Sequence, residues 1–254
     1  MFKPMNVRGT RQPRLSDGSR GPSRRARAAP DRAAGFTVTD LLVVTAIIAL
    51  LTAIFVPTAV KLQARSRQQQ CTSNLGQVGR AILLYAEENK KTFPLMGSTQ
   101  TTGVWWWYKE LVKSYAGLTG QSSPRDKVFA CPKDRGFAED GTIQPFCRSE
   151  KYDYGSYVFN GVNLPGVPNI AGQEVASVKE PGKTLLAMEW TAHAPLSWHK
   201  SKTGKRNMPF YCDAQSVVGF VDGHVSFTKI YYDGFNAAYT QDPIAGYDYQ
   251  YSGN

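Results

Sequence analysis

A chain of 254 residues holds one globular domain with a sizeable core plus a substantial extension, and leaves too little for two large domains. The net charge of +10 invites a nucleic-acid reading, but nine Lys or Arg against two Asp place +7 of it before Phe36. The rest of the chain is only mildly basic, so no specific nucleic-acid partner is expected. Residues 1–35 are rich in Arg, Pro, Gly and Ser and lack apolar periodicity, a composition that predicts a disordered leader.

The run from Leu41 to Val60, LLVVTAIIALLTAIFVPTAV, carries no charge. As a helix it spans roughly 30 Å, the thickness of a bilayer core. The basic flank before it predicts a cytoplasmic leader and an extracytoplasmic remainder. On length alone the run also fits a plain single-pass anchor or an uncleaved secretory signal.

The boundary of this run carries more information. Gly35-Phe36-Thr37-Val38-Thr39-Asp40-Leu41-Leu42 resembles the processing site of the type IV prepilin and type II secretion pseudopilin superfamily, and the likeness extends to a proline late in the span, Pro57. The resemblance implies that a prepilin peptidase cuts between Gly35 and Phe36, that Phe36 is then N-methylated, and that residues 36–60 anchor the chain singly in a bacterial inner membrane. Other pilin-like subunits would be its partners there. Asp40 stands where the superfamily usually has Glu. A carboxylate in an apolar helix is costly without a positive partner, and the resemblance supplies one in the α-ammonium of Phe36, on the same or a neighbouring subunit. Pro57 is expected to kink the helix or free a backbone carbonyl.

After Pro57 the pattern becomes one-sided. Leu62, Cys71, Leu75, Val78, Ile82 and Tyr85 include a run spaced four, three, four and three, with Lys, Arg and Gln between them. This predicts an amphipathic stalk helix over 61–92, ending near Asn89-Lys90-Lys91 before Pro94. The segment from Cys71 to Tyr85, with Cys131-Pro132-Lys133-Asp134, Tyr154-Gly155-Ser156-Tyr157, Pro181 to Leu186 with Glu189, and Phe220-Val221-Asp222-Gly223-His224, is similar to prepilin-like proteins whose C-terminal domain is named for an H-x9-DG pattern. Ten residues before Asp222 the chain has Cys212 rather than the naming histidine, so no role of that histidine transfers.

Residues 93–230 read as an α+β head, with 231–254 as a Tyr-, Gly- and Asp-rich tail that packs as an edge loop, hangs free or meets a partner. Val104 to Tyr115 predicts an aromatic-rich helix whose Trp105-Trp106-Trp107-Tyr108 cluster packs the head against the long helix, stacks a ligand or meets a membrane surface. Strands are expected at Thr184–Trp190, Ser216–Val221 and His224–Ile230, the last two joined by a two-residue type I′ turn at Asp222-Gly223. The fold expected is a long transmembrane-plus-stalk helix packed on a small antiparallel sheet, a pilin-like layout.

Four cysteines, Cys71, Cys131, Cys147 and Cys212, allow three pairings. With Cys71 on the stripe expected to be buried, a Cys71–Cys131 bridge is one candidate, leaving Cys147 with Cys212, and such a bridge contributes about 2–4 kcal/mol. His193, His199 and His224, with Glu189, Asp213 and Asp222, suit a metal by type but have no recognisable ligand spacing, so no metal ligands are assigned. Calcium, held in loops of some pseudopilin heads, is the one cofactor the resemblance brings, without assignable ligands. No nucleophile elbow, phosphate loop or acid–base pair is present, and no enzymatic activity is expected. Lys200, Lys202, Lys205 and Arg206 read as a charged turn. The expected function is a structural or secretion-associated pilin-like subunit; the alternative is a membrane-tethered binding or hydrolytic module that uses the apolar segment only as an anchor.

Overall fold

The computed structural model describes residues 35–97, 105–136, 144–162, 166–193, 197–199, 214–231 and 241–254. The leader before Gly35, the basic turn around Lys202, Asp213 and Cys212 lie outside the described residues. The chain divides between Leu51 and Thr52 into two compact units.

Helix α1 runs from Val38 to Glu88, 51 residues. Its start is set by a reciprocal pair of side chains. The Thr37 backbone N–H and hydroxyl donate to Asp40 Oδ2 at 2.8 and 2.6 Å, and the Asp40 N–H donates to Thr37 Oγ1 at 3.2 Å. This is a capping box, which satisfies donors that a helix N-terminus otherwise leaves open. From 35 to 63 every residue is exposed, including Leu42, Ile47, Ile54 and Phe55. The helical assignment continues through Pro57, where the missing N–H takes a partner from the Ala53 carbonyl. One residue on, the Thr58 hydroxyl donates to the Ile54 carbonyl at 3.0 Å.

The second half of α1 buries a stripe: Cys71, Asn74, Leu75, Val78, Gly79, Ala81, Ile82 and Ala86. Leu62, expected on this stripe, is exposed, and Tyr85 is half-buried. The stripe starts at Cys71 because that is where the sheet begins to cover the helix. Gly79 and Gly219 lie where helix meets sheet: a Cβ on Gly79 would touch Leu186 Cδ2 at an ordinary 3.7 Å, and one on Gly219 Leu75 Cγ at 3.7 Å. After Glu88 the chain turns at Lys90 and Lys91, both with positive φ, while the Tyr85 carbonyl accepts both the Asn89 backbone N–H at 3.0 Å and the Asn89 side-chain amide at 2.8 Å.

The sheet is an antiparallel meander in the order β1 (Tyr157–Phe159), β2 (Leu185–Glu189), β3 (Gln215–Phe220), β4 (Val225–Lys229). β1 and β2 are buried throughout, so neither alternates, and β1 was not visible as a strand. The β3–β4 connection differs from the expected type I′ turn. Only Gly223 has positive φ, 92°; the Gly223 N–H reaches the Phe220 carbonyl and the Phe220 N–H the His224 carbonyl, both at 2.9 Å. This is a three-residue loop with glycine in the left-handed position. Asp222 is held by its own side chain, whose Oδ1 accepts the His224 N–H at 3.0 Å.

The expected helix over Val104–Tyr115 is shorter: α2 covers Tyr108–Val112 and a 3-10 turn follows at Lys113–Ala116. Trp106, Trp107 and Tyr108 are core residues. The Trp106 indole donates to the Gly155 carbonyl at 2.8 Å and the Tyr108 hydroxyl to the Tyr157 carbonyl at 3.1 Å. The cluster therefore ties α2 to the segment leading into β1. Lys109 is buried with it, its Nζ 2.9 Å from Asp126 Oδ2 and 2.6 Å from the Asp153 carbonyl.

The end of the chain packs. Tyr249 and Tyr251 are core residues, the Leu185 N–H donates to the Gln250 carbonyl at 3.0 Å, and Asn160 Nδ2 donates to the carbonyls of Leu185 and Tyr251, both at 2.7 Å. Of the three readings of the tail, residues 241–254 adopt the edge-loop one.

Candidate functional site

The most concentrated chemistry lies where α1 meets the ends of two strands. Cys71, on the buried stripe of α1, is bridged to Cys131, with Cα atoms 4.8 Å apart. Asn74, one turn along α1, donates its amide to the carbonyls of Lys127 and Ala130 at 2.9 and 2.8 Å, so the loop is fixed to the helix just before it reaches Cys131. The Cys131 N–H donates to Ser156 Oγ at 2.9 Å, and the Lys133 N–H points at Cys131 Sγ at 3.4 Å.

Two further residues close on the bridge. Glu189 ends β2 and is 0% exposed. Its Oε2 accepts the Val217 N–H from β3 at 2.9 Å, and its Oε1 lies 2.7 Å from His199 Nε2. That same Nε2 is 3.7 Å from Cys131 Sγ. The His199 N–H donates to Ser197 Oγ at 2.9 Å, and its ring stands edge-on to Phe227 of β4. The donor atoms of Cys71, Cys131, Glu189 and His199 all lie within 4.8 Å of one another, and this is the group of metal-ligating side chains that the described residues assemble. Two sulfurs, an imidazole nitrogen and a carboxylate oxygen are the donor types that zinc-class cations take.

A second polar centre adjoins it. Asp134 accepts the N–H groups of Gly136, Phe146 and Cys147 at 2.8, 3.1 and 2.9 Å and the Ser156 hydroxyl at 2.7 Å. Burial nevertheless raises its carboxyl above the usual carboxylate range. Cys147 is a free thiol, pushed up to about 11 by burial and by Asp134, which leaves almost none of it as the reactive thiolate at neutral pH. Cys131, Asp134 and Cys147, with Asn74, Lys127 and Arg148, line a cavity of about 690 Å³.

The structure thus scatters some of the sequence-level candidates and gathers others. Cys71 and Cys131 are joined; Cys147 carries a free thiol and Cys212 lies outside the described residues. Gly35 and Phe36 are exposed beside the start of α1, and Asp40 engages Thr37. His224 faces Asp222 at 2.6 Å on the surface. His193 is buried against Trp105, ring centroids 4.2 Å apart, and burial lowers it to about 3. Glu189 and His199 were noted as residue types suited to a metal, but their grouping with the two cysteines was missed. The four residues come from separate elements, and the local sequence around none of them signals the others. Set against known proteins, the chain matches no family model, no curated protein and no solved structure, so its functional reading rests on its own residues.

Proposed function

We propose that the chain is a pilin-like, membrane-inserted subunit, cut by a prepilin peptidase between Gly35 and Phe36, methylated at Phe36, and assembled with like subunits through its apolar helix. The observation that carries this reading is the exposed stretch 35–63. α1 is long and apolar enough to cross a membrane, and its apolar window buries nothing within the chain. Contiguous apolar surface of this extent needs an apolar solvent or other helices of the same kind. The processing motif sits immediately before it, and the Thr37–Asp40 cap gives a helix that starts within three residues of the proposed new N-terminus. Cleavage leaves the Thr37 N–H in place, so the cap persists in the mature chain, and the Phe36 ammonium would lie near the capping carboxylate, where opposite charge stabilises it.

In this reading the leader is cytoplasmic and the head extracytoplasmic, an oxidising setting in which a Cys71–Cys131 bridge persists. Assembly is tested by a photocrosslinking residue at Ile48. The expected product is a second copy of the chain joined through its own apolar segment. Adducts with lipid alone would remove assembly and leave the tethered-module alternative.

A further inference from the structure

We propose that Cys71, Cys131, Glu189 and His199 form a redox-gated site for a zinc-class divalent cation, in which the disulfide and the bound metal are alternative states of one ligand set. This does not depend on the pilin-like reading.

A disulfide needs neither an imidazole nor a carboxylate beside it, yet both are brought to this one. The side chains of Glu189 and His199 are 0% and 2% exposed, and a carboxylate that deeply buried is costly unless something opposite or hydrogen-bonding meets it. Geometry favours a metal as the alternative partner. Tetrahedral bonds of about 2.0–2.3 Å put donor atoms roughly 3.3–3.8 Å apart. His199 Nε2 and Cys131 Sγ already stand 3.7 Å apart, and the Glu189–His199 pair at 2.7 Å has to open by roughly 0.6 Å to reach the same range. The surroundings suit thiolates and a ligating carboxylate. The Lys133 N–H directed at Cys131 Sγ stabilises a charged sulfur more than a neutral one, and the Val217 N–H holds the Glu189 oxygen that faces away from His199.

Charge balance is also kept. With Glu189 as a carboxylate and His199 as a neutral imidazole, the bridged cluster carries one negative charge, and so does a divalent cation bound by two thiolates, that imidazole and that carboxylate. Binding therefore adds no net charge to the core, which is the condition for its being tolerated there.

The steps balance as follows. A dithiol reductant transfers two electrons and two protons to the bridge, giving the Cys71 and Cys131 thiols and leaving the reductant as its own disulfide. The cation then displaces both thiol protons to solvent, and the His199 ring carries its proton on Nδ1, freeing Nε2 for the metal. Reoxidation by a disulfide-class oxidant reforms the bridge and expels the cation. Cys131 lines the 690 Å³ cavity, which gives reductant and metal a route to its sulfur. Cys147, on the same cavity wall, is held as a thiol by burial.

The test uses the full chain in detergent, with Cys147→Ser and Cys212→Ser so that only the bridge sulfurs remain, reduced with a phosphine and titrated with Co²⁺ as a spectroscopic stand-in for zinc. The expected result is one equivalent bound, with thiolate-to-cobalt charge transfer and the intense visible bands of a tetrahedral site, all absent from the oxidised chain. Glu189→Gln and His199→Ala, which leave the bridge able to form, should weaken cobalt binding by more than the roughly 10- to 100-fold that loss of an outer partner of a ligand costs, while their oxidised forms keep the near-UV dichroism of the parent. The proposal is overturned by a reduced chain that takes up no cobalt, by uptake unaffected by Glu189→Gln and His199→Ala, by equal uptake in the oxidised chain, or by a reduced chain that loses its near-UV dichroism and does not regain it with metal.

Discussion

The two halves of α1 are continuous in backbone and opposite in what surrounds them. Residues 35–63 bury nothing, while from Cys71 to Ala86 the helix supplies one wall of the head's core. The difference is written in side-chain spacing. Apolar residues all round predict a helix whose neighbours are lipid or other such helices; apolar residues at every third or fourth position predict one that packs on a single face. A helix can therefore be fully specified by sequence and still leave half of its stabilising contacts to partners outside the chain.

Substitutions in each half of the helix and in the head test that contrast. In the head, Asp126→Asn leaves the buried Lys109 ammonium without its carboxylate. A loss of about 3–5 kcal/mol is expected, read as a fall in the melting midpoint followed by near-UV circular dichroism of the full chain in detergent. Burial raises the Asp126 carboxyl, but the hydrogen bond and charge of Lys109, with the Ser123 contacts, outweigh it and leave it lowered. The stability it contributes is present above the unfolded carboxylate pKa and lost as pH falls through the folded one.

On the helix itself, Ile82→Ala removes a fully buried side chain and should cost about 2–5 kcal/mol. Ile47→Ala, in the exposed half, should leave the head's melting midpoint within error while reducing retention of the chain in carbonate-washed membranes. Equal destabilisation of the head by both substitutions would contradict the division between the halves.

His193 gives a pH signature confined to the head. Burial holds its folded pKa at about 3, below the unfolded value of about 6.5, so the unfolded chain takes up the proton first. Stability is full above the unfolded pKa and falls as pH drops through the window between the two values. Between pH 7 and pH 5 this amounts to about 2 kcal/mol. His193→Phe should flatten that part of the stability–pH curve, and an unchanged slope would show that the imidazole does not stay neutral in the folded head.

The smallest effect lies at the other end. Thr37→Ala removes one side of the capping box and should loosen the first turn of α1 by about 1 kcal/mol. Faster amide exchange at residues 38–41, with the head unaffected, is the expected readout.

Much of this architecture was legible before the fold. The four–three spacing from Cys71 to Ile82 gave the buried stripe, and β2, β3 and β4 lie within one residue of where strands were expected. Leu62 misled because periodicity says which face is apolar and not where the partner surface begins. Asp222-Gly223 marked the turn but not its type, since the Asp222 side chain bonds the His224 N–H and favours a negative-φ loop closed by glycine. The Thr37-x-x-Asp40 cap was present as a motif and eclipsed by the charge-partner reading of Asp40.

The candidate site was legible only in part. Burial of Cys71 was expected from its place on the stripe, but Cys131 was only one of three possible partners. The arrival of Glu189 and His199 was not legible: Glu189 is placed by the register of β2 against β3, which leaves no local pattern. The tail was undecidable for a similar reason: it is held by contacts of Gln250 with Thr184 and Leu185 and of Tyr251 with Asn160, all distant in sequence.

The proposed processing of the exposed half of α1 is tested by the mass of the N-terminal peptide of the chain purified from its native membrane. The expected terminus is Phe36 bearing one methyl group on its amine. A peptide still joined through Gly35, or a terminus at any other residue, would contradict it.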